Sequence, residues 1–268
     1  MNYKTATFSL AIILSLIAFF SKSQTSKKSP QHSLTITYKG NMGVHISGAK
    51  TSVLIDGLHE YYGPEYLPTP ETEIRKMAEQ QKPFADLTMA LFTHYHKDHY
   101  SSTLAKRFLR TAARKRVAGP PQVTDSLAGT QTLNAWNKNA LLFTDTSAGL
   151  VIYAFNIPHT GRQRHSIVQN VAYLIKSGKS SILHIGDADM DASAFIRLKL
   201  GRIDCMIAPV WFLMDKEGIR IITEIIKPAK LVATHISPNA KQPLDKYILP
   251  GISTYFFTEI NQMVNMPG

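Results

Sequence analysis

Four side chains able to bind a metal crowd into Thr93-His94-Tyr95-His96-Lys97-Asp98-His99, three imidazoles and one carboxylate. Imidazole nitrogens with a carboxylate suit zinc or a similar borderline cation. Residues 87–92, just before, form an apolar run that reads as a buried strand, and from about residue 99 to 115 apolar residues recur at helical intervals. The spacing therefore predicts a strand-to-helix loop, on which alternate side chains converge and the next turn supplies more. The bland alternative is a solvated loop rich in histidine, and the rest of the chain argues against it by supplying the missing ligands.

Those further candidates stand where later strands run out. His159 follows the apolar stretch 151–158, Asp187 follows 181–186 with Gly186 setting the carboxylate on a tight turn, and His235 follows 231–234. Loops at strand ends are where α/β folds place their chemistry. Asp56 closes the run 51–55 in the same manner. His165, six residues after His159, competes with it as a ligand, and both remain open on sequence grounds. His184 lies within a strand and reads as a core or supporting histidine. His32, His45 and His59 read as ordinary structural histidines.

In order and over nearly the whole chain, these elements resemble the metallo-β-lactamase superfamily: Asp56 at a strand tip, the His-x-His-x-Asp-His loop, a histidine, a Gly-Asp and a final strand-end histidine. The segment Leu183-His184-Ile185-Gly186-Asp187-Ala188 is most similar to the branch that includes ascorbate-phosphate lactonase. The resemblance implies an αββα four-layer sandwich of two mixed β-sheets flanked by helices. It also implies two divalent ions, zinc first with manganese or iron as alternatives. His94, His96 and His159 would hold one ion and Asp98, His99 and His235 the other, with Asp187 bridging. A hydroxide shared by the two ions would be the nucleophile, Asp98 would orient it or pass a proton to the leaving group, and Asp56 would support the loop by hydrogen bonding. The implied activity is hydrolysis of a lactone, ester, amide or phosphodiester, phospholipid head groups included; the Gly-Asp carboxylate argues mildly against a dedicated β-lactamase. Alternatives of other classes are a mononuclear-iron sulfur dioxygenase and a non-catalytic member of the fold. Diiron relatives place a glutamate where this chain has His96.

Elements that could position these groups follow from periodicity. Strand-like runs at 34–38, 44–46 and 51–55, with Gly40, Gly43 and Gly48 between them, predict an antiparallel meander. Residues 61–70 hold three prolines and read as a loop, and Pro70-Glu71-Thr72-Glu73 opens a helix to about Gln81. A second half predicts strands at 116–118, 140–143, 150–156, 168–176, 181–184, 203–209 and 231–234, with helices at 121–128 and 216–226. Two strand-rich halves with interspersed helices make a layered α/β protein.

Residues 1–23 read as a signal peptide: Lys4, an apolar stretch from Phe8 to Phe20, and Ser21 and Ser23 at a cleavage site. The apolar stretch is shorter than the ~20 residues of a spanning helix. Export to a periplasm or the exterior is expected, followed by a Ser/Lys/Gln-rich linker at 24–33 and a hydrolase domain at 34–268. The sole cysteine, Cys205, excludes an intramolecular disulfide and reads as a packed thiol in a strand. Net charge is +11, part of it in Lys106, Arg107, Arg110, Arg114, Lys115 and Arg116, which read as a solvated helix face. Without aromatic interleaving or a binding module, nucleic acid is not expected as a partner. The expected partner is a small or lipid-like substrate, anionic if Arg162 and Arg164 grip it. Trp211, with Phe212 and Leu213, could line a pocket, and Tyr95 could touch the leaving group.

Overall fold

The computed structural model describes residues 33–266 except 88, 128, 130, 137, 138, 147, 241 and 242. The expected leader, the linker save Ser33, and His32 lie outside the described residues.

The glycine-punctuated runs do form a meander: β1 (Leu34–Gly40), β2 (Gly43–Ser47) and β3 (Ser52–Ile55) pair antiparallel. Three strands then add in parallel, β4 (Met89–Leu91), β5 (Arg116–Gly119) and β6 (Thr132–Asn134). The second sheet begins with antiparallel β7 (Ala140–Asp145), β8 (Leu150–Asn156), β9 (Val171–Ser177) and β10 (Ser180–His184). It continues in parallel with β11 (Cys205–Pro209), β12 (Lys230–Thr234) and β13 (Ser253–Phe256). The last strand, β14 (Met263–Met266), returns to pair with β1. The result is two mixed sheets of seven strands each.

The period of two in these strands decides the layering. Val53, Ile55, Val171, Tyr173, Ile175, Cys205, Ile207 and Val232 face an interior shared by both sheets. Their neighbours Leu174, Met206, Ala208, Leu231 and Ala233 face outward into an apolar layer with Phe195, Ile221 and Ile222. Leu54, Ala90 and Val117 meet Ile74, Met77, Ala105 and Phe108 on the other side. The first sheet is covered by α1 (Glu71–Glu79), α2 (Ser102–Arg110) and the short α3 (Pro121–Thr124). After α4 (Arg162–His165), a single turn near the site, α5 (Ala192–Leu198) and α6 (Lys216–Arg220), which widens into a π-helical turn at Ile221–Ile226, cover the second. This is the expected four-layer αββα sandwich. No helix among the described residues is long and apolar enough to cross a membrane.

Two local readings need correction. The helix expected from 99 to 115 spans only 102–110: Ser101 caps its start by accepting a hydrogen bond from the Leu104 N–H, and residues 111–115 turn the chain into β5. Lys115 is not solvated: its side chain is fully buried, its ammonium donates to the Ala78 carbonyl and sits 4.3 Å from the Phe108 ring centre. Burial lowers its pKa to about 8. A run of basic neighbours hid one lysine whose stem packs under the helix end.

His45 and His59 are buried and structural, as expected, bonded to the hydroxyls of Ser52 and Thr69. Burial, with Lys39 adding to it, pushes His45 down to about 4. An unfolded chain therefore binds a proton there near pH 6.5 that the folded chain refuses until about pH 4. Stability should fall as pH drops through that window, by roughly 3 kcal/mol from this residue. Urea unfolding of wild type and His45→Gln at pH 7 and pH 4 measures it: the wild type should lose more stability than the variant, and equal losses would contradict the assignment.

Candidate metal centre

The strand tips bring the chemistry to one edge of the sandwich. β3 and β4 run parallel in one sheet and β10 and β12 in the same direction in the other, so Asp56, the 93–99 loop, Asp187 and His235 emerge together. His159 comes from the end of β8 and is fixed by a bridge to Ala188 and by the Thr160 N–H donating to the Asp187 carbonyl. The Val171 N–H donates to the Thr93 carbonyl, stitching the two sheets at the loop's first residue.

Side-chain donor atoms of His94, His96 and His159 lie within 4.8 Å of one another, as do those of His94, His99 and Asp187 and those of Asp98, His99 and His235. All seven sequence candidates are thus brought together, in groups that could hold metal ions. Of the two competing histidines, His159 turns its Nε2 to within 3.3 Å of His94 Nε2. His165 stands outside these groups, its ring 5.0 Å from those of both His96 and His159.

Outer partners fix which nitrogen of each ring carries the proton. Thr93 Oγ1 donates to Asp56 Oδ2 at 2.6 Å, so at 3.0 Å it accepts from His94 Nδ1. His159 Nδ1 donates to the Thr160 carbonyl at 2.6 Å, and His99 Nδ1 donates to Asp56 Oδ2 at 2.9 Å. In each case Nε2 is left facing inward. Burial, then the neighbouring His99, keeps His94 well below the usual histidine range, and burial likewise lowers His159. Burial and then His159 push His96 down to about 4. Two bare imidazole lone pairs therefore oppose each other at 3.3 Å, with His96 Nδ1 3.0 Å from one of them.

The carboxylate side is the electrostatic complement. Burial opposes charge on Asp98, but His99 and His235 outweigh it and hold the acid at about 2. Burial likewise opposes charge on Asp187, and the same two histidines keep it well below its ordinary value. His99 is buried too, yet Asp187 and Asp98 raise its pKa well above normal. His99 Nε2 and Asp187 Oδ1 are nevertheless buried without a hydrogen-bond partner, 3.3 Å apart. Buried polar atoms in proteins are nearly always satisfied. Lone pairs aimed at one another and ionised oxygens opposite them fit a site for cations.

Asp56 accepts from the Thr93 N–H at 2.8 Å as well as from Thr93 Oγ1 and His99, tying the metal-site loop to the end of β3. His184 is not a ligand: Nε2 donates to the Met42 carbonyl and Nδ1 accepts from the Gly186 N–H. Tyr95 is 37% exposed, 5.1 Å ring to ring from His96. Arg164 and its neighbour Arg162 sit on α4; Arg164 is exposed, and the side chain of Arg162 lies outside the described residues. Trp211 packs 4.7 Å from the His235 ring, whereas Phe212 and Leu213 are buried in the outer layer. A cavity of about 640 Å³ opens beside His159 and His165, walled by Trp136, Ile157 and Val168.

Two residues of the site escaped the sequence reading. Asn41, in the β1–β2 turn, donates from Nδ2 to both the carbonyl and Oδ2 of Asp98 at 3.0 Å, while its own carbonyl accepts from the His235 N–H. Asn41, Asp56 and His235 all adopt left-handed backbone, at φ 44°, 49° and 57°. Such conformations cluster where surroundings impose them, often at functional sites. Tyr66, in the proline-rich loop, sets its ring 5.3 Å from that of His235. Burial, then the Asp98 carboxylate, raises its phenol to about 12, so it retains its proton.

Gly186 is required at its place. Its φ is +56°, and a Cβ there would lie 2.5 Å from Asn170 Oδ1 and 2.7 Å from Thr93 Cβ. Gly186→Ala should cost at least about 2 kcal/mol and lower the melting temperature by several degrees. An unchanged thermal melt would show that the turn is not held as described.

Among curated proteins no sequence matches the chain. Solved structures share its fold. Igni18, a metallo hydrolase from Ignicoccus hospitalis, superposes with TM-score 0.66 at 18% identity over 87% of this chain and 98% of that one. YhfI, a metallo-beta-lactamase fold protein from Bacillus subtilis, gives 0.63 at 15% over 88% and 100%. CmlA, a diiron beta-hydroxylase from Streptomyces venezuelae, gives 0.56 at 15% over 89% of this chain and 55% of that one. The family profile described as the beta-lactamase superfamily domain matches residues 35–235, from the first strand to the last of the converging histidines, and the chain belongs to that superfamily.

Proposed function

We propose that this protein is an exported, metal-dependent hydrolase working with two divalent cations, zinc first among them. The observation that carries the reading is the opposition of unprotonated His94 and His159 nitrogens at 3.3 Å, across from ionised Asp98 and Asp187. His94, His96 and His159 would hold one cation, Asp98, His99 and His235 the other, and Asp187 would lie between them. When bound, the cations would activate water at neutral pH and polarise the scissile carbonyl or phosphoryl group.

The chain's own residues supply orientation. Asp56 and Thr93 lock the His94 and His99 rings; Asn41 locks the Asp98 carboxylate. Asp98, held ionised, is suited to accept a hydrogen bond from the attacking water rather than to act as the acid. No protein nucleophile is needed, and Cys205 offers none: it is buried, with its thiol pushed up to about 12. Substrates of this chemistry are esters, lactones, amides and phosphodiesters. The leader pattern at 1–23 supports export.

Metal analysis of purified protein should give close to two ions per chain, with zinc dominant, and a chelator should abolish turnover in a screen of chromogenic ester, lactone, phosphodiester and β-lactam substrates. Iron with oxygen uptake, or turnover that survives complete metal removal, would overturn the reading. Asp187→Ala should abolish turnover while remaining folded by circular dichroism. Asn41→Gly keeps the left-handed turn and removes only the side chain, so metal affinity should fall roughly 10- to 100-fold with little change in the melt; competition with a chromophoric chelator reads it.

A further inference from the structure

The flank of the centre at His235 is aromatic. The Trp211 ring meets the His235 ring at 4.7 Å and 65°, and Tyr66 meets it at 5.3 Å and 73°, both edge-on. Tyr62 continues the strip 5.2 Å beyond Tyr66 and is 52% exposed, so the rings lead from solvent to the Asp98 and His235 side chains.

This strip is built in place. The Leu67 carbonyl accepts from the Asn41 N–H, the Pro64 carbonyl accepts from Asn239 Nδ2, and the Tyr66 N–H donates to the Gly63 carbonyl. The tyrosine loop is thereby tied both to the turn that orients Asp98 and to the segment after His235. Trp211 sits on the turn Val210–Leu213, anchored by Phe212 and Leu213 in the apolar layer. Its indole nitrogen is buried with no hydrogen-bond partner.

We propose that Tyr66 and Trp211 form an aryl-binding wall beside His235, and that the substrate carries a flat aromatic ring next to the bond cut. The bond-cutting part rests on the hydrolase reading above; the binding part does not. Edge-on ring contacts favour a third ring over an aliphatic group of equal size.

The test is a set of neutral amides that bind without needing a metal: phenylacetamide, cyclohexylacetamide and acetamide, titrated with and without zinc. The chain has two tryptophans. The Trp211 signal is therefore the difference in fluorescence change between wild type and Trp211→Phe. Phenylacetamide should shift that signal and bind roughly tenfold tighter than acetamide and several-fold tighter than cyclohexylacetamide, and Tyr66→Leu should weaken it by roughly three- to tenfold. Calorimetry on Trp211→Leu, which loses the ring, should erase the preference for phenylacetamide over cyclohexylacetamide. Equal affinities for phenyl and cyclohexyl ligands, or a Trp211 signal unmoved by phenylacetamide, would overturn the proposal. Metal content of the same samples is measured separately: loss of metal binding with aryl preference intact sinks the hydrolase reading alone, and the reverse outcome sinks only the wall.

Discussion

Everything at the site depends on like facing like. The lone pairs of His94 and His159 are pressed together, and the ionised carboxylates beside them are balanced only in part by His99 and His235. Water would solvate them separately, but burial removes that option, and desolvation of unpaired polar atoms is among the costliest features a fold can carry. The surrounding hydrogen bonds make the arrangement persist. Thr93, Asp56, Thr160 and Asn41 each occupy the far side of a ring or carboxylate, leaving only the inward side open. The fold thus spends its stability on a cluster that makes chemical sense around positive charge.

The layers explain how such a cluster can be tolerated. Apolar side chains alternate on nearly every strand, filling the interior between the sheets and both outer layers. Polar strain is confined to the edge where the strands end. Left-handed backbone at Asn41, Asp56 and His235 lies at that edge as well.

Much of this was legible in the residues alone. The 94–99 loop announced itself through density of ligands, and His159, Asp187 and His235 through their position one step past an apolar run. Asn41 was hidden, because asparagine in a glycine-flanked hairpin turn has an ordinary explanation, and its bonds to Asp98 join positions far apart in sequence. Tyr66 was hidden by the prolines around it, which marked the segment as a loop and nothing more. Lys115 was misjudged since its neighbours are solvated and burial is decided by the packing of α1 against α2. Strands β13 and β14 are short, and β6 shorter still, so local pattern carried too little signal; α5 could have been found, for Asp191 caps it by accepting from Ser193 and Ala194.

The seven converging side chains are divided between the sheets: four ride on the loop after β4, and three on the ends of β8, β10 and β12. Their mutual spacing is therefore a measure of how the two halves slide over each other. The apolar interior acts as a mount, and its stiffness against shear sets the tolerance of the chemistry at the rim. Trimming a methyl group at Ile182 or Val232, deep in that interior and remote from any substrate, would be felt as a change in how well the donors line up.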